Sequence, residues 1–170
     1  IQKKISNKIL MLDSLHVKEI QLDCDWTGST KEKYFKLLEI IRTDCIKDSI
    51  ILSATIRLHQ VKFSNKTGIP PVDRGMLMFY NMTDVTDMKT KNSIFDSNTA
   101  ERYLVNFESY PLELDVVLPA FSWVCHFRRD KLIALINDVD KYEIISSGNF
   151  KEHGALYYRC IKTFYLKGNY

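Results

Sequence analysis

The chain has 170 residues, enough for one well-buried core, and its 24 basic and 21 acidic residues leave a net charge of only +3. The two signs are well mixed, so there is no arginine-rich or aromatic-interleaved stripe of the kind that grips nucleic acid, and no apolar run approaches the ~18–20 residues of a membrane span. Cys24, Cys45, Cys125 and Cys160 lie far apart with no C-x-x-C or Cys/His cluster at metal spacing; buried free thiols are expected, and no metal or cofactor is.

The chain starts Ile1-Gln2-Lys3 without a signal-peptide pattern and stops after Gly168-Asn169-Tyr170. We expect a mature chain or a piece of a longer protein, and localisation stays open. Residues 3–15 carry Ile5, Ile9, Leu10, Leu12 and Leu15 among lysines, a helical spacing. Residues 17–25 alternate, with Glu19, Gln21, Asp23 and Asp25 on one parity and Ile20, Leu22 and Cys24 on the other, which predicts a two-faced strand. Ser29-Thr-Lys-Glu32 is a capping-box pattern opening a helix to about residue 46, with Tyr34, Leu37, Leu38, Ile41 and Cys45 on one stripe.

A second strand is expected over 50–59, placing Ser53, Thr55, Arg57 and His59 on one face and Leu52, Ala54, Ile56 and Leu58 on the other. Lys62 to Asp73, with Gly68, Pro70 and Pro71, reads as a loop; residues 74–82 read as a third strand ending in Tyr80-Asn81. Thr83 to Ser97 is a polar excursion of about fifteen residues, long enough for a functional loop. Asn98 caps a helix to about Ser109, and residues 112–121 form a fourth strand leading to Trp123. Lys131 to Ile136 is short strand or helix, and Tyr142 to Tyr170 alternates around glycines as antiparallel hairpins do. Asn65-Lys-Thr67 and Asn81-Met-Thr83 match the N-glycosylation acceptor pattern.

Strands alternating with helices predict parallel pairing with right-handed crossovers. A closed eightfold barrel takes about 250 residues, so four such strands suggest a (β/α) barrel or partial TIM barrel over 1–125, with a small β-rich segment over 126–170; an open α/β sheet is the alternative. Polar residues cluster where the strands end, the place where both architectures put their sites. Asp23 and Asp25 are candidates for a general acid and its electrostatic partner, since like charges close together raise one pKa; the other reading is a structural network with Arg57 and His59. Arg57 and His59 suit an anionic group such as a uronate or sialate, or else neutralise the aspartates. Tyr80, Asn81 and Trp123 suit a sugar, whose C–H faces stack on aromatic rings; Trp26 has the parity of the helix-packing face. His16, His126 and His153 join no constellation, and Glu101, Glu108 and Glu113 lie away from the strand ends.

The segments Gln21-Leu-Asp-Cys-Asp-Trp-Thr27, Leu52-Ser-Ala-Thr-Ile56, Met76-Leu-Met-Phe-Tyr-Asn81 and Leu118-Pro-Ala-Phe-Ser122 resemble, in this order, the later strands of chitinase-type (family 18-like) glycosidase barrels. With Pro71-Val-Asp-Arg-Gly75, the chain also resembles a family of uncharacterised bacterial barrel proteins related to them. The resemblance covers about residues 15–125. It implies the second half of a barrel, a missing N-terminal half as a partner, a carbohydrate ligand, and a secreted or cell-envelope setting. It also implies two departures. The catalytic Glu of those barrels falls on Thr27, and the Asp after Tyr falls on Asn81. The expectation is therefore a glycoside hydrolase-like protein with Asp25 and Asp23 as catalytic candidates, or a silent carbohydrate-binding or assembly domain of the same fold.

Overall fold

The computed structural model of the chain describes residues 17–47, 49–154 and 156–162, together with Lys4 and Asn7. Except at those two positions, the helix expected over 3–15 lies outside the described residues, as do His16 and 163–170. The chain forms two compact units: Ile1–Tyr80 with Ser97–Leu118, and Asn81–Asp96 with Pro119–Tyr170.

In the first unit β1 (Glu19–Leu22), β2 (Ile51–Arg57), β3 (Arg74–Met78) and β4 (Leu114–Val117) form a parallel sheet in chain order. Its helices are α1 (Lys31–Lys47), α2 (Leu58–Lys62), the short α3 (Ser64–Thr67) and α4 (Ser97–Tyr103), the last followed by a 3₁₀ turn over Leu104–Asn106. The fold is mixed α/β with the expected parallel pairing. The described strands make an open sheet, with no closed barrel among them.

One face of the sheet is apolar. Leu52, Ala54, Ile56 and Leu77 are fully buried there, and α1 contributes Tyr34, Leu38, Ile41 and Cys45 to the buried set, the stripe its 3.6-residue spacing predicts. The helix is capped two residues before the expected Ser29. Thr27 O accepts from the Thr30 and Lys31 amides, and Thr30 Oγ1 accepts from the Thr27 amide at 2.9 Å, a reach-back bond made by Thr30 rather than by the expected Glu32. Ile20, Leu22, Leu37 and Leu114 are half-buried.

The other face is polar and tied strand to strand. Arg74 of β3 pairs with Glu19 of β1, and its Nη1 lies 3.3 Å from Asp115 of β4. Gln21 Nε2 donates to Ser53 Oγ at 3.3 Å. The Arg74 hydrogen bond first, and the Ser53 hydroxyl next, hold the Glu19 carboxyl below its ordinary value of 4.5. A depressed carboxyl stabilises the fold above its ordinary pKa, and that contribution is lost as pH falls through the folded value. Glu19→Gln should therefore flatten the acid limb of stability below about pH 4.5, measured by urea denaturation at stepped pH. An unchanged limb would remove Glu19 from the account.

Several elements are shorter than their sequence patterns. The expected strand 17–25 is hydrogen-bonded only over Glu19–Leu22, and the expected strand 50–59 ends at Arg57, because the Gln60 side chain accepts from the Arg57 amide at 2.7 Å and starts α2. The third and fourth strands stop at Met78 and Val117, the helix from residue 98 turns 3₁₀ after Tyr103, and the expected loop after Lys62 contains α3. None of the four cysteines forms a disulfide among the described residues, but Cys24 and Cys160 are exposed and Cys125 is half-buried, which corrects the expectation of buried thiols to Cys45 alone.

Among the described residues the second unit contains two antiparallel hairpins and one helix. β5 (Trp123–Arg128) pairs with β6 (Lys131–Asn137) through a register shift at His126/Phe127. Lys131 to Ile136 is thus strand. The helix α5 (Lys141–Ser146), capped by Asp140 accepting from the Tyr142 amide, precedes the β7 (Phe150–Gly154) and β8 (Tyr157–Cys160) hairpin. The long loop joins this unit through its own bonds: Trp123 Nε1 donates to Ser93 Oγ at 3.1 Å, and Tyr157 Oη to Met88 O at 3.2 Å. Among the described residues no helix is long and apolar enough to cross a membrane.

Candidate functional site

The strand-end residues of the first unit come together through a constant register. Gln21 meets Ser53, Asp23 meets Thr55 and Asp25 meets Arg57, each pair 32 residues apart in sequence. The β1–β2 alignment therefore continues past the last ladder bond, and it delivers both carboxylates to the exit end of β2. Thr55, itself buried, donates its hydroxyl to Asp23 Oδ1 at 2.8 Å. Arg57 forks onto Asp25, Nε to Oδ1 at 2.5 Å and Nη2 to Oδ2. The hydrogen bond that Arg57 donates to Asp25 raises the guanidinium pKa further, against the opposing effect of burial. Both members of the pair are about half exposed, 44% and 52%, so the fork orients the carboxylate more than it stabilises the fold.

His59 is not a fourth member of that face. It lies on α2, exposed, two residues beyond the strand. Desolvation and the Arg57 charge lower its pKa, with Asp25 partly offsetting them. It stands at the margin of the site as a neutral imidazole near pH 7. Tyr80, two residues past β3, is half-buried and within electrostatic reach of Arg57. Asn81 belongs to the second unit, exposed at φ 54°, a left-handed conformation that asparagine tolerates better than most residues. Trp123 is also in the second unit, half-buried on β5 with its ring centroid 5.4 Å from that of the exposed Phe121.

Thr27 stands where the resemblance places a catalytic Glu, exposed, with its hydroxyl 2.9 Å from Ser29 Oγ and 3.2 Å from Thr30 Oγ1. It is part of the helix cap. Trp26 is 5% exposed, stacked on Tyr34 at 5.4 Å, with Nε1 donating to Thr67 O at 2.9 Å. The helix-packing reading of Trp26 holds. The Tyr34 hydroxyl is buried without a partner among the described residues, and desolvation, with Cys24, Asp23 and Asp25 adding to it, pushes its pKa well up. Removing an orphaned hydroxyl costs no hydrogen bond, so Tyr34→Phe should leave stability unchanged or raise it by up to about 1 kcal/mol. A loss of more than that in urea unfolding would mean the hydroxyl has a partner.

Thr55 and Gln60 were absent from the sequence-based site. The alternation does place Thr55 beside Arg57, and Arg57-x-x-Gln60 has capping-box spacing, so both left a signal. Among the described residues no cluster of three or more His, Cys, Asp or Glu side chains could hold a metal ion. A polar pocket of about 370 Å³ is lined by Ser64, Asn65, Ile69, Asn106, Ser109 and Pro111, on segments that lead into β3 and β4. It has neither a charged group nor an aromatic ring, so the strand ends remain the candidate.

No family model matches the sequence, and comparison with curated proteins finds no match. Solved structures do. The ydhD protein of Bacillus subtilis, a sporulation-specific glycosylase by name, overlays with a TM-score of 0.60 at 12% identity over 94% of this chain and 58% of that one. Catalytic domain 2 of the group II chitinase of Ostrinia furnacalis overlays with a TM-score of 0.49 at 15% identity over 75% of this chain. The same domain with a bound N-acetylchito-oligosaccharide gives the same figures. The chain spans 41% of the chitinase chain and just over half of ydhD. The fold is similar to that of ydhD.

Proposed function

We propose that this chain is part of a glycoside hydrolase-like barrel and that it binds carbohydrate at the strand ends without cleaving it. The observation that supports this reading is the state of its two carboxylates. A general acid must present a proton to the glycosidic oxygen. Asp25 has both oxygens held in a guanidinium fork, and Asp23 accepts from Thr55. Thr27, at the position of the expected Glu, carries a hydroxyl that cannot protonate a leaving group near neutral pH. What remains is an oriented acceptor, Asp25, beside a cation, a tyrosine and a neutral imidazole. That set can hydrogen-bond sugar hydroxyls or an acetamido group.

The test is a glycan array followed by calorimetry with N-acetylglucosamine oligosaccharides, and a fluorogenic hydrolysis assay on the same oligosaccharides. Binding without turnover is the expected result. Turnover that Asp25→Asn abolishes would overturn the silent reading and make Asp25 catalytic. Absence of binding to any glycan would overturn the carbohydrate reading itself.

A further inference from the structure

The two hairpins of the second unit share an anomaly. In each, a pair of cations is placed directly opposite across the ladder: Arg128 against Lys131 in β5–β6, and Lys151 against Arg159 in β7–β8. Directly opposed residues in an antiparallel pair point to the same side, with Cβ atoms about 4.5–5.5 Å apart, and like charges there are destabilising. All four are exposed, and none has a carboxylate within ion-pair distance among the described residues. A fifth cation, Arg129, sits in the β5–β6 turn. Arg129 and Asp130 both have positive φ, 49° and 61°, where Asn-Gly would be the relaxed choice. Two hairpins carry unrelieved like-charge pairs, and one of them bears an arginine in a conformation that side chains avoid.

We infer that these hairpins form a binding surface for a polyanionic polysaccharide, a glycan bearing carboxylate groups, which would relieve the repulsion by lying along the cation pairs. The β7–β8 hairpin also carries the exposed Tyr157, two residues from Arg159 and so on the same side of β8, a ring that suits a sugar face beside charge. The cation pairs stand on their own geometry. The choice of a polysaccharide rather than a nucleic acid rests on the carbohydrate reading above.

The experiment immobilises the intact chain and measures binding of polygalacturonate, with neutral dextran and single-stranded oligothymidylate as comparisons, at low and high salt. Two double variants, Arg128→Gln with Lys131→Gln and Lys151→Gln with Arg159→Gln, each remove one opposed pair and its repulsion, so folding should not suffer. Polygalacturonate should bind more tightly than either comparison, lose affinity at high salt, and weaken about tenfold or more in each double variant. Equal binding of dextran would overturn the proposal, and so would equal or tighter binding of oligothymidylate. So would variants that bind polygalacturonate like the parent; if those also self-associate, the cations serve to keep hairpin edges from pairing. N-acetylglucosamine oligosaccharide binding is measured in parallel. Its persistence while polygalacturonate fails would sink this proposal and leave the strand-end reading standing.

Discussion

Gly75→Val is expected to cost about 3 kcal/mol of stability, with Gly75→Ala about half of that. Gly75 is buried on β3, and a Cβ added there would lie 2.7 Å from Leu114 Cδ2, 2.8 Å from Ile56 Cγ1 and 3.2 Å from Leu112 Cδ2. The first two separations are closer than real Cβ contacts come. Leu114 is the cross-strand neighbour of Gly75, and Ile56 is fully buried on the adjoining strand, so three side chains occupy the volume the glycine leaves. Valine would force them off their rotamers or push the strand, and a packed core resists both. The check is a urea-denaturation series with a double-mutant cycle. Ile56→Ala alone should cost about 2–5 kcal/mol for the cavity. Combined with Gly75→Ala it should cost less than the sum, because the new methyl fills part of that cavity. Strict additivity, or a Gly75→Ala change near zero, would show that the space is open after all.

On the proposed carbohydrate reading, Arg57→Lys should weaken glycan binding at the strand ends about as much as Arg57→Ala, by roughly tenfold to a hundredfold, the worth of about one to two charge-assisted hydrogen bonds. Lysine keeps the charge but cannot fork, so Asp25 would lose its fixed orientation. Asp25→Asn keeps the shape, loses the charge, and should fall between wild type and Asp25→Ala. Calorimetry with the best glycan from the array reads these effects, and thermal unfolding controls for folding. Both pair members are about half exposed, so Tm should move little. If Arg57→Lys bound like wild type, charge alone would suffice and the fork would have no role in recognition. A large fall in Tm would make the pair structural instead.

Much of the architecture was legible in the chain. The alternation in Glu19–Leu22 and Ser53–Arg57 named the polar and apolar faces, though it failed at the exposed Cys24, and the stripe from Tyr34 to Cys45 named the helix that supplies much of the buried core. Trp26 was assigned to helix packing from parity alone. His59 was misplaced for a local reason. Its alternation with Arg57 fits a strand, but one side-chain bond from the Arg57 amide to Gln60 is enough to start a helix at Leu58. Trp123 was expected at the end of the fourth strand, yet it opens β5 of the second unit, and its indole partner Ser93 lies thirty residues away in a loop that carries no periodic signal.

The amino-acid order by itself determined which residues share a face, because side chains alternate with period two and apolar atoms must leave water. It also pointed to parallel pairing where a helix was legible between two strands, from β1 to β2 and from β3 to β4. It did not determine the register. Sliding β1 along β2 by two residues would keep every apolar side chain inward, and only a one-residue slip is forbidden by the pattern. Such a slip would set Asp25 beside Thr55, or beyond the end of the strand, and there would be no fork. The tertiary structure alone decided the offset of 32 that joins Asp25 to Arg57 and Asp23 to Thr55. That offset depends on the capped length of α1 and on the fit of Leu38 and Ile41 in the buried core with Leu52 and Ile56, which no local pattern records.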